Sequence, residues 1–173
     1  MNTIECIKSR ASVRSFKPDK IPDSVLDEIL DSAVHAPSAG NVQDWEFVVV
    51  SKQDTKNRLA GAAWGQEFVS QAPAVIVVCS NLRTIHNAYG ERGNSLYSIQ
   101  NTATATQNML LAAWEKGLGS CWVGSFNDEK VREILVLPSH VRPMAIVPIG
   151  YPATEPKKTR RKKLGEVVHK EFY

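Results

Sequence analysis

The sequence predicts an α+β fold, a sheet surrounded by helices. Three observations carry this. Two helical patterns, near 3–10 and 22–35, stand before the first strand pattern. Four apolar runs then read as strands, at 45–50, 74–79, 120–123 and 144–149. Helices and strands do not alternate as a chain of βαβ units would. With 173 residues, one domain spanning 1–173 is expected, large enough to bury its own core.

Each element has its local reason. Asn2 or Thr3 can cap a first helix that carries Ile4 and Ile7 on one face and ends near Arg10. Pro22 suits a first helical turn, and Val25, Leu26, Ile29, Leu30 and Ala33 recur at helical spacing behind it. Ala36 to Asn41 is a loop by composition. Trp45 to Val50 is aromatic and β-branched, a buried strand. Asp54 opens a helix to about Ala62, and Ala74 to Cys79 is a second strand, with Pro73 at its start. Residues 80–94 read as a polar excursion containing Gly90 and Gly93. Ser95 to Lys116 is a long helix with few charges, which asks for burial on most sides, in the core or against another subunit. Gly117 and Gly119 stop it. A short strand at 120–123, a helix at 128–135 and a strand at 144–149 complete the pattern.

Charge is unevenly spread. The chain has 21 Lys plus Arg and 18 Asp plus Glu, a net +3. Six of the basic residues fall in one run, Lys157, Lys158, Arg160, Arg161, Lys162 and Lys163. Without it, 15 basic residues face 18 acidic ones, so the body is mildly acidic. That count disfavours a broad nucleic-acid surface and leaves room for a local anion site. No apolar run reaches the roughly 18 residues of a membrane span, and the start lacks an apolar leader core. Cys6, Cys79 and Cys121 are far apart and odd in number, as free thiols in a reducing cytoplasm would be. A cytoplasmic protein is therefore expected.

No glycine-rich dinucleotide fingerprint, phosphate loop, zinc-spaced cysteine pair or hydrolase triad stands out. Three weaker groups remain. In Arg10-Ala11-Ser12-Val13-Arg14-Ser15-Phe16, an extended backbone would project residues 10, 12 and 14 to one side. Two guanidinium forks and a hydroxyl suit a phosphate or a polar ring edge; a solvated turn with surface ion pairs fits the same residues. Ser38, Asn41 and Gln43 lie in a loop just before a strand, and their groups match a heterocycle with carbonyl and N–H edges. A polar connection held by Asn turns fits them equally. In Gly119-Ser120-Cys121-Trp122-Val123-Gly124, Gly124 allows close approach of backbone to a flat ligand, while Trp122 can fill core.

Together and in this order, the segments resemble the nitroreductase family of flavoproteins. The resemblance takes in Arg10 to Phe16, Pro37 to Trp45, Gln107-Asn108 within the long helix, Gly117-Leu118-Gly119, Gly150-Tyr151-Pro152 and Leu164 to Val168. It implies a central, mostly antiparallel sheet surrounded by helices, in a homodimer whose C-terminal segment reaches toward the partner. It also implies FMN bound at the subunit interface, with NADH or NADPH as reductant and a nitroaromatic, quinone or similar small acceptor. By the same resemblance Arg10, Ser12 and Arg14 hold the phosphate, ribityl chain or pyrimidine edge. Asn41, with Ser38 and Gln43, reaches the ribityl chain or ring; Val123 and Gly124 lie close to the ring; Arg160 or Arg161 joins the phosphate cluster. The flavin carries the chemistry, so no catalytic side chain is assigned.

Three residues depart from the family pattern: Ala11, where arginine is common; Asp44, where proline is common; and Asn101, where an acidic residue is common. Trp64, Phe68, Tyr89 and Tyr97 are candidates for an acceptor pocket or for core. Two other readings stay open: the same fold with dehalogenation, desaturation or flavin fragmentation as its reaction, and a nucleic-acid-binding module using 157–163.

Overall fold

A computed structural model describes all 173 residues. Four antiparallel strands form one sheet in the order β1-β2-β4-β3, with β1 Trp45–Val50, β2 Ala74–Asn81, β3 Gly119–Ser120 and β4 Val141–Gly150. The helices are α1 Thr3–Ser9, α2 Asp23–Val34, α3 Gln53–Ala62, α4 Phe68–Gln71, α5 Leu82–Arg92, α6 Ser98–Glu115 and α7 Asp128–Leu135. No helix is long and apolar enough to cross a membrane.

β2 is buried almost end to end because the sheet is covered on both faces. Its alternation sorts the core in two. Val75, Val77 and Cys79 join Ile146 and pack with Leu59, Val69 and Val131 of α3, α4 and α7. Ala74, Ile76 and Val78 join Ala145, Val147 and Ile149 and pack with Ile29 and Ala33 of α2 and Ala105 and Met109 of α6.

The elements start and stop for local reasons. Asn2 caps α1: its side chain accepts from the Glu5 N–H at 2.9 Å, and Glu5 accepts from the Asn2 N–H at 3.2 Å. Ile4 and Ile7 share an exposed face of this helix, and Cys6 is the residue it buries. Residues 80–94 are not the polar excursion expected. They form α5 and a π turn at Gly93–Tyr97. Asn81 starts α5 by accepting from the Thr84 N–H at 3.2 Å, and Gly90 takes a left-handed kink (φ 55°) that lets the path continue. α6 therefore begins three residues later than expected. It buries Asn101, Ala105 and Met109 on one side, while Ile99 stays 48% exposed.

Three strands differ in length from their sequence patterns, and β2 runs two residues further than expected, to Asn81. β3 stops after Ser120, and Val123 keeps a single bridge to Ile146. β4 runs three residues earlier than expected, through Pro143, because a register shift opposite Val78 and Cys79 accommodates the ring.

Candidate functional site

The first polar group is built on the β3 edge. The Val13 N–H donates to the Ser120 carbonyl at 2.9 Å, and Ser12 pairs with Ser120 as a parallel bridge. This extended segment turns Ala11 and Val13 into the core and leaves Ser12 and Arg14 exposed, with Arg10 half-buried. The expected alternation of residues 10, 12 and 14 is present. Gly119 makes the pairing possible, since a Cβ there would lie 2.5 Å from Val13 Cγ2.

Ser12, Arg14 and Arg10 gather around Cys121. Burial pushes its thiol pKa up, against the Arg14 guanidinium, the Ser12 hydroxyl and Arg10, which pull it down. The arginine segment and the 119–124 segment, separate in sequence, are thus neighbours in space. Arg14 also lies over the Phe68 ring, 5.9 Å from its centroid.

Gly124 differs from Gly119. It is exposed, its φ lies outside the left-handed region, and a Cβ would meet only Trp122, at 3.7 Å. Nothing in this chain's own packing requires a glycine there. An open backbone shelf three residues beyond Cys121, with its two guanidinium groups and a hydroxyl, fits a flat, anionic cofactor.

The second group sits before β1. Gly40, Asn41 and Gln43 all have left-handed backbones (φ 54°, 57° and 54°). Ser38 Oγ accepts from the Gln43 N–H at 3.1 Å, and Gln43 Nε2 donates to the Asn41 carbonyl at 3.2 Å. The loop faces a cleft of about 450 Å³ lined by Pro37, Ser38, Gly40, Tyr89, Tyr97, Gln100, Asn101 and Thr104, among others. Tyr89 and Tyr97 meet edge to face at 4.9 Å. Of the four pocket candidates, these two line the cleft. Trp64 is exposed, and Phe68 packs against the core. Sequence reasoning missed Gln100 and Thr104; their spacing with Asn101 on one face of α6 was the available signal.

Beneath this loop the two departures, Asp44 and Asn101, meet. Asn101 Nδ2 donates to Asp44 Oδ1 at 2.6 Å, and Ser80 Oγ donates to Asp44 Oδ2 at 2.5 Å. Asn101 Oδ1 accepts from the Ala39 N–H at 2.9 Å. Ala11, the third departure, is buried.

The two polar groups do not meet within one chain. Trp45 opens β1 at one sheet edge, and Ser120 lies in β3 at the other. Register sets Trp45 level with Ser80 and Arg142, and Ser120 level with Ile149. These anchors are about 14 Å apart across the sheet and about 20 Å apart along it. Arg160 and Arg161 join neither group. They lie in an exposed tail, where Arg161 Nη1 donates to the Thr159 carbonyl at 3.3 Å and the Arg160 carbonyl at 3.4 Å. The same tail exposes Leu164, Val167, Val168, Phe172 and Tyr173.

The relatives of this chain define its class, an oxidoreductase. The chain belongs to the nitroreductase family: the pattern that defines that family matches residues 7–67 and 62–151. A protein from Thermus thermophilus named NADH dehydrogenase is 37% identical over 92% of this chain and 91% of its own length. An FMN reductase (NADPH) from Bacillus subtilis is 31% identical over 99% of this chain and 74% of its own. The structure of an NADPH:FMN oxidoreductase from Vibrio harveyi complexed with NAD+ superposes with a TM-score of 0.92 at 27% identity. It covers 100% of this chain and 78% of that one.

Proposed function

We propose that the chain is an FMN-dependent oxidoreductase that takes its electrons from NADH or NADPH and gives them to a nitroaromatic, quinone or similar small acceptor. The whole of 1–173 serves as one FMN-binding unit, working as a homodimer in the cytoplasm. The observation that carries this is the gathering of Arg10, Ser12 and Arg14 around Cys121, three residues before the open backbone at Gly124. Family membership and the FMN reductase relative support the choice of cofactor.

FMN, when bound, accepts a hydride from the nicotinamide and passes the electron pair to the acceptor. The chain's own residues bind and orient. Arg10 and Arg14 supply positive charge for the phosphate or the pyrimidine edge, and Ser12 a hydroxyl donor. Gly124 offers backbone to the ring, and Val123, whose own N–H and carbonyl are paired with Ile146, holds that backbone in place from the core side. Ser38, Asn41 and Gln43 offer amides and a hydroxyl that match the ribityl chain or ring edges. Fixed donors of this kind also stabilise negative charge on the reduced ring.

The separation of the two polar groups argues for a shared site. Each flavin would take the Arg10 group from one chain and the Asn41 group from its partner, and the tail, with Arg160 or Arg161, would complete the phosphate cluster. The exposed apolar residues of the tail support an assembly in which they are covered.

Purified protein is expected to be yellow, with close to one FMN per chain, and to show two chains per particle by light scattering. Anaerobic turnover with NADH and NADPH across a panel of nitroaromatics, quinones and free flavin identifies the acceptor. Protein that neither takes up FMN nor oxidises a nicotinamide refutes the proposal.

A further inference from the structure

Asp44 is a buried titratable residue at the end of the cofactor loop with no part in the chemistry of the flavin, and its side chain reaches back to the start of that loop through one intermediary. Its Oδ1 accepts from Asn101 Nδ2, and its Oδ2 from Ser80 Oγ. Both partners are themselves buried. A primary amide can present its oxygen or its nitrogen to either side. Here Asp44 decides the matter: it takes the nitrogen, so the Asn101 oxygen must face the loop. That oxygen accepts from the Ala39 N–H at 2.9 Å. Thr104 adds a second tie by donating to the Pro37 carbonyl at 2.9 Å. The loop held in this way contains three left-handed residues, Gly40, Asn41 and Gln43, a conformation that persists only under external restraint.

We propose that Asp44 and Asn101 are a positioning pair for the cofactor loop. Asp44 sets the orientation of the Asn101 amide, and Asn101 pins Ala39 so that Ser38, Asn41 and Gln43 are preformed for FMN. The inference rests on the proposed FMN function. It adds two residues whose part is to set the shape of the loop.

The pairing has a symmetry that makes it testable. Exchange of the two side chains, D44N/N101D, keeps every hydrogen bond. The amide moved to position 44 would donate to one oxygen of the carboxylate moved to position 101, and would accept from Ser80. The other oxygen of that carboxylate would accept from the Ala39 N–H. N101D alone removes the N–H between the two side chains and puts two carboxyls in contact, which repel unless they share a proton. The surrounding titratable and charged groups are Tyr89 of α5, Tyr97 of the π turn with Arg92 over its ring, and Glu46 of β1, which accepts from Asn81. All are unchanged in both variants; the exchanged chain keeps the wild-type charge, so their contributions cancel between it and wild type, while N101D adds one negative charge.

The experiment is an FMN titration of the full chain by flavin fluorescence at pH 8 and pH 6, with wild type, N101D and D44N/N101D. N101D is expected to weaken FMN binding about tenfold at pH 8 and to recover part of it at pH 6, where a shared proton restores a donor between the carboxyls. The exchanged chain is expected to stay within about threefold of wild type at both pH values. N101D that binds FMN like wild type at pH 8, or an exchanged chain no better than N101D, overturns the proposal. Should N101D not fold, the exchanged chain must fold and bind FMN near the wild-type affinity, and its failure overturns the proposal. A wild-type chain that takes up no FMN refutes the functional reading itself, whereas normal wild-type uptake beside an unaffected N101D refutes the pair alone.

Discussion

Gly119 and Gly124 lie five residues apart on one segment, and the same change at each should have opposite consequences. An alanine methyl at 119 would fall 2.5, 2.6 and 2.8 Å from the three side-chain carbons of Val13. Carbon pairs rest near 3.5–4.0 Å, so Val13 or the β3 edge must move by about 1 Å. The strain of such overpacking is about 2 kcal/mol, or about 4–8 °C in melting temperature for a chain of this size. The displacement would also loosen the Val13–Ser120 hydrogen bond that carries Arg10, Ser12 and Arg14. At 124 the methyl would meet Trp122 Nε1 at 3.7 Å, an ordinary contact, and the backbone there suits any residue. Gly124→Ala should therefore melt within about 2 °C of wild type. It should nonetheless weaken FMN binding about tenfold, since the methyl would hold the ring off the backbone. Thermal melting of the apoprotein and FMN titration of both variants read these out. A Gly119→Ala chain that melts like wild type refutes the packing argument. A Gly124→Ala chain with unaltered FMN affinity removes the shelf from the site.

Arg10→Ala should weaken FMN binding by about 1–3 kcal/mol through a lost charge-assisted contact, with melting of the apoprotein little changed; fluorescence titration decides it. Cys79 predicts an alkaline weakness. Burial, then Glu46, pushes its pKa up to about 12, while an unfolded thiol ionises near about 8.5. Its stabilising share is complete below about pH 8.5 and is lost as the pH rises toward 12, amounting to about 2 kcal/mol by pH 10. Urea denaturation at pH 7 and pH 10 should show Cys79→Ala losing about 2 kcal/mol less than wild type over that interval. Deletion of residues 164–173 should leave the melting of a single chain unaltered but weaken dimerisation about tenfold or more, measured by sedimentation; an unchanged dimer would free the tail of that role.

Much of this architecture was legible in the chain. The core of β2 announces itself as an apolar run bounded by breakers, and Trp45 to Val50 by its aromatic and β-branched residues. Yet β1 is not the buried strand expected, because it lies at the sheet edge with Glu46 and Val49 exposed. The outward placement of residues 12 and 14 followed from strand alternation alone. α5 was hidden because its sequence is polar and carries Gly90, and because its cap is an asparagine that also ends a strand. The extra length of β4 was hidden behind Pro143, which is admitted only by a register shift that local sequence does not encode. The link between Asp44 and Asn101 spans 57 positions and depends on α6 crossing the end of β1. No periodicity reveals such a contact, and each residue alone reads as an isolated departure.

The diagonal placement of the two polar groups has a genetic consequence. If each flavin draws on two chains, Arg10→Ala and Asn41→Ala damage different halves of the same site. A hybrid of the two variants then contains one site with both lesions and one with neither. Random pairing in an equal mixture makes about half the particles hybrid, so about a quarter of all sites return to wild type. Two proteins that each bind FMN weakly, unfolded together and refolded, would thus complement one another, whereas lesions in the same half would never do so.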